Sequence, residues 1–66
     1  MHYELSRRDR LYLVVRHLHQ CGYGSQAAGD DPDGRLLLHV EVEGRDQQER
    51  VARIVHGCDP EARRLG

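Results

Sequence analysis

Arg35-Leu36-Leu37-Leu38-His39-Val40-Glu41-Val42-Glu43 alternates in polarity with a period of two. In an extended chain successive side chains point to opposite faces, so Leu36, Leu38, Val40 and Val42 share one side. That side is wholly aliphatic and must cover a core. The other carries Arg35, Leu37, His39, Glu41 and Glu43, polar apart from one leucine, and meets water or a polar partner. The pattern predicts a strand over residues 35–43 with a single buried face.

A helix is predicted on each side of this strand. Upstream, Ser6-Arg7-Arg8-Asp9 has the form of a capping box, in which the serine hydroxyl and the Asp9 carboxylate satisfy free N–H groups at a helix start. Leu11, Val14, Val15, Leu18 and Cys21 then recur at three- and four-residue steps, and Gly22 supplies the left-handed residue that ends the helix. Downstream, Asp46-Gln47-Gln48-Glu49 repeats the capping pattern ahead of Val51, Ile54, Val55 and Cys58. Gly57 and Asp59-Pro60 are expected to stop that helix, since proline cannot continue one.

Three weaker segments complete the chain. Met1–Leu5 reads as a short strand with Tyr3 and Leu5 on one face, and Tyr23–Ala28 as another. Gly29–Gly34 is dense in turn residues and would join the second of these to the strand at 35–43 as a hairpin. Glu61–Leu65 would close the set. The order strand, helix, strand, strand, helix, strand resembles the split βαβ unit of ferredoxin-like folds. That resemblance implies an α+β two-layer sandwich, with two helices on one face of an antiparallel sheet. The resemblance covers the element order of the whole chain. The signature motifs of small metal-binding, amino-acid-sensing and RNA-binding domains of that architecture are missing. There is no Cys-x-x-Cys after the first strand, and His39 and Glu41 stand where an aromatic pair would be. The alternative is helix, hairpin and helix with both termini as loose tails.

Length and composition bound the function. Sixty-six residues make one small domain, spanning 1–66, which buries only roughly 60% of its unfolded surface. Fifteen Leu, Ile and Val residues keep it out of the disordered class. Ten arginines against eleven acids leave a net charge of −1, which argues against a nucleic-acid clamp or a polybasic membrane anchor. The longest apolar run, Leu11–Val15, is far short of the ~20 residues that span a bilayer. No signal-peptide pattern stands at the start, so a cytoplasmic location with two free thiols is expected. The absence of Lys, Asn, Thr, Phe and Trp suits a GC-rich bacterial or phage genome.

Three sets of residues are candidates for chemistry. His17, Cys21, His56 and Cys58 are soft-metal ligand types, with His39 a further one, and zinc or copper(I) would be the ions. Against this, both cysteines continue apolar helix stripes, where a thiol acts as a small hydrophobe. In the expected fold the helices are antiparallel, and Cys21 and Cys58 would lie about 22 Å apart, one helix length. An intramolecular four-ligand site therefore conflicts with that fold, whereas one shared between two copies does not. Arg7, Arg8 and Arg10 crowd the first turn of helix one, where the dipole favours an anion. Asp30, Asp31 and Asp33 in the hairpin loop are the local alternative partners. The third set is the polar strand face, Arg35, Leu37, His39, Glu41 and Glu43. Small domains of this architecture often pair through such a face, which favours a homodimer. Catalytic patterns are missing, since Gly22-Tyr23-Gly24-Ser25 lacks the Gly-Lys-Ser/Thr end of a phosphate loop. The sequence thus favours a non-catalytic regulator, adaptor or inhibitor without a cofactor, acting on a protein partner or on itself. Metal binding and anion or nucleic-acid binding are the alternatives.

Overall fold

The computed structural model describes residues 1–28 and 34–65. They form β1 (His2–Leu5), α1 (Arg8–Gln20), β2 (Ser25–Ala28), β3 (Leu36–Val40), α2 (Arg45–Cys58) and β4 (Arg63–Arg64). The sheet order is β2-β3-β1-β4, and each neighbouring pair is antiparallel. Both terminal segments are thus strands of the sheet, which excludes the arrangement with loose tails. The chain is an α+β two-layer sandwich, as the element order requires.

Alternation in the strands and periodicity in the helices meet in one core. Tyr3 and Leu5 of β1 and Leu38 and Val40 of β3 face Leu11, Val14 and Leu18 of α1 and Val51, Val55 and Cys58 of α2. Ala62 closes the cluster beside β4. The Tyr3 ring meets His56 edge-on, 6.0 Å between centroids, which sets α2 over β1. The Tyr3 hydroxyl is buried without a hydrogen-bond partner among the described residues. Burial pushes the phenol upward, partly offset by the nearby Arg64 charge.

Gly22 ends α1 as expected, at φ +85°. The Gly22 and Tyr23 amides donate to the His19 and Leu18 carbonyls at 3.0 and 2.9 Å, which is the Schellman arrangement. The helix starts differ from expectation. Arg7 is the N-cap of α1, and no side chain caps it. Ser6 instead reaches across the sandwich, its amide donating to Asp59 Oδ2 at 2.8 Å and its hydroxyl to Oδ1 at 2.8 Å. Helix α2 begins after Gly44 rather than at Asp46, again without a side-chain cap. Neither bond of the Asp46–Glu49 box forms; instead the Glu43 amide, one residue ahead of the N-cap, donates to Gln47 Oε1 at 2.8 Å. At the other end α2 runs through Gly57 to Cys58, and the stop lies at Asp59 in extended conformation ahead of Pro60.

β3 is shorter than the period-two pattern implied. Its register ends where partners end: the Val40 amide bonds the Met1 carbonyl and the Glu41 amide bonds that of Gly24. Beyond Val40 no ladder continues, although Val42 still packs against the core.

Candidate functional site

The antiparallel register builds a solvent-facing surface on the sheet side opposite the helices. His2, His39 and Gln26 form one cross-strand row, and Glu4 and Leu37 lie in the next, with Arg63 across from Glu4. Arg35 leans onto this face, its Nε 3.6 Å from Glu4 Oε2. His39 Nδ1 lies 3.0 Å from His2 Nε2, so one ring donates a proton and the other accepts. Of the five residues expected to share this face, Leu37 and His39 lie in β3 and Arg35 adjoins it. Glu41 and Glu43 lie past its end. They line an open groove of about 820 Å³ with Met1, Tyr23, Gly24 and Arg50.

His2, Glu4, Gln26 and Arg63 belong to this surface and were not singled out from the sequence. The inward assignment of Tyr3 and Leu5 already implied that His2 and Glu4 point outward. Which residue of β3 would stand beside them depends on register, and register is a tertiary property.

The histidine and cysteine candidates divide. His17 Nδ1 and Cys58 Sγ come within 3.6 Å, joining the two helices. Cys21 is exposed, because α1 ends one residue before it and the stripe it continued stops there. His56 is turned to backbone, with Nδ1 3.0 Å from the Ala52 carbonyl and Nε2 3.2 Å from that of Ala62. Among the described residues no three His, Cys, Asp or Glu side chains gather in a way that could hold a metal ion. The Cys58–His17 contact does not make an activated thiolate. Burial pushes the Cys58 thiol up, and the Arg10 charge only partly offsets that.

The arginines at the start of α1 are largely engaged within the chain. Arg7 Nε lies 3.2 Å from Asp9 Oδ1, and Arg10 Nη1 donates to the Cys58 carbonyl at 3.1 Å. Arg8 is exposed. The anion that this end of the helix holds is Asp59, only 1% exposed. Burial alone would raise its carboxyl, but the Ser6 amide and hydroxyl, the Glu61 amide and the Arg10 charge outweigh it and bring it below the usual range. Pairing of these arginines with Asp30, Asp31 and Asp33 lies outside the described residues.

Among the described residues no helix is long and apolar enough to cross a membrane. Comparison with protein-family models, curated proteins and solved structures yields no match.

Proposed function

We propose that this chain is a small non-catalytic binding protein acting through the open face of its sheet, and that the partner there is a second copy of itself. The observation that carries this reading is the charge pattern of the face. Glu4 lies between Arg35 and Arg63, with Leu37 beside it as an apolar centre. A copy rotated by a half-turn sets acid against base, which makes the patch self-complementary. A net charge of −1 imposes little repulsion between copies.

The expected association is weak. Four strands at ~4.8 Å spacing and about five residues of length give a projected footprint of about 320 Å². A standard stable interface takes ~800 Å² from each partner, so this contact belongs to the small, concentration-dependent class.

Sedimentation equilibrium over a wide concentration range tests this. The wild-type chain should shift from monomer to dimer as concentration rises. Leu37→Arg should remain monomeric with unchanged melting at low concentration. Leu13→Arg, on the exposed side of α1, should dimerise like the wild type. A monomer at every concentration, or loss of the dimer in the Leu13 variant alone, rejects the reading.

A further inference from the structure

We infer that His2 and His39 form a chelating site for a divalent transition-metal ion of the zinc type. The two nitrogens that face each other, His2 Nε2 and His39 Nδ1, stand 3.0 Å apart. Two imidazoles bound to one ion at ~2.0–2.1 Å, with the angle of a tetrahedral or octahedral site, place their nitrogens about 2.9–3.4 Å apart. The ring centroids are 4.5 Å apart and the planes are inclined at 45°, so neither ring stacks over the other and obstructs approach from solvent.

The scaffold holds this spacing. β1 and β3 are the two central strands of the sheet, and His2 and His39 are direct cross-strand partners. Backbone register therefore fixes the two Cβ positions, and ion entry requires only small ring rotations. The hydrogen now shared between the rings moves to the far nitrogen of the donating imidazole. Both facing lone pairs then become available with no proton lost from the pair. Glu4 on the same face is held by Arg35, so among the described residues the site has two protein ligands, with coordination positions open to water. Neutral imidazole nitrogen suits zinc, copper(II) and nickel(II) better than calcium or magnesium. The site lies within one chain and does not depend on self-association.

Zinc chloride titrated into the full chain, followed by calorimetry and by nitrogen-15 shifts of the imidazole rings, tests the site. The expected result is one ion per chain, with the shifts confined to the ring nitrogens of His2 and His39. The second ligand adds as an intramolecular step, so His2→Gln and His39→Gln should each weaken zinc by about a hundredfold. Both side chains face solvent, and unchanged circular dichroism and melting of the zinc-free variants shows that the fold is intact. Leu37→Arg should bind zinc like the wild type, which separates this inference from dimer formation. Three results overturn the site: zinc binding that survives both glutamine variants, shifts that appear instead at His17 or His19 or with loss of the Cys21 or Cys58 thiol, or no binding in zinc excess.

Discussion

Truncating Leu38 to alanine should come close to unfolding the protein. Leu38 is fully buried, with Tyr3 and Ala27 as its cross-strand partners and both helices above it. The change removes three carbons, worth about 0.8 kcal/mol each in transfer from water. A residual cavity adds about 24 cal/mol for every Å³ that the neighbours fail to fill. Together these give a loss of about 2.5–4.5 kcal/mol. At roughly 0.05–0.15 kcal/mol per residue the whole domain holds only about 3–10 kcal/mol. Urea and thermal denaturation followed by circular dichroism should therefore show a midpoint at least about 10 °C lower, or no folded baseline. His39→Ala, one residue along and on the opposite face, should change monomer stability by no more than about 0.5 kcal/mol. If His39→Ala proved as damaging as Leu38→Ala in dilute solution, the wrong face of β3 would have been taken as buried.

Three further outcomes follow from the same geometry. Because the Asp59 carboxyl is held below its unfolded value, its contribution is full above about pH 4, the unfolded range, and is lost as pH falls through the lower folded value. Melting temperature against pH should show that acid loss in the wild type and a shallower one in Asp59→Asn; identical slopes would refute the Ser6–Asp59 tie. Gly22→Ala places a Cβ at φ +85° and should cost about 1 kcal/mol, read as a lower urea midpoint, and a neutral result would mean that α1 ends otherwise. With a thiol reagent Cys21 should react at once in the native state, and Cys58, 8% exposed, only on unfolding; equal rates would contradict the burial of Cys58.

The parts of this fold that were legible in the sequence are those set by local periodicity. Alternation at Leu36, Leu38 and Val40, and the helical spacing of Leu11, Val14 and Leu18, each reported a buried face directly, because one-sided burial imposes its period on the residues. Helix starts were misread because a serine or aspartate in cap position has other uses. Ser6 is drawn to Asp59, fifty-three residues away, and no local pattern announces such a bond. The extent of β3 was overestimated because hydrophobic alternation continues through Val42 after the hydrogen-bonding partners have ended. Cys21 fitted the stripe of α1, yet the helix closes on the Gly22 turn before the thiol can turn inward. The sheet face was half visible. Leu37 and His39 followed from the strand pattern, whereas His2 entered the picture only through the pairing of β1 with β3.

The claim that the open sheet face is the contact surface is tested most directly by isotope-filtered nuclear Overhauser spectroscopy on a concentrated mixture of labelled and unlabelled chains. Intermolecular contacts should run from the Leu37 methyls to protons of His2, Glu4, Gln26 and Arg35 of the other copy, and should vanish in Leu37→Arg. Intermolecular contacts that instead join helix residues such as Leu13 and Ile54, or none at a concentration where sedimentation finds dimer, would contradict it.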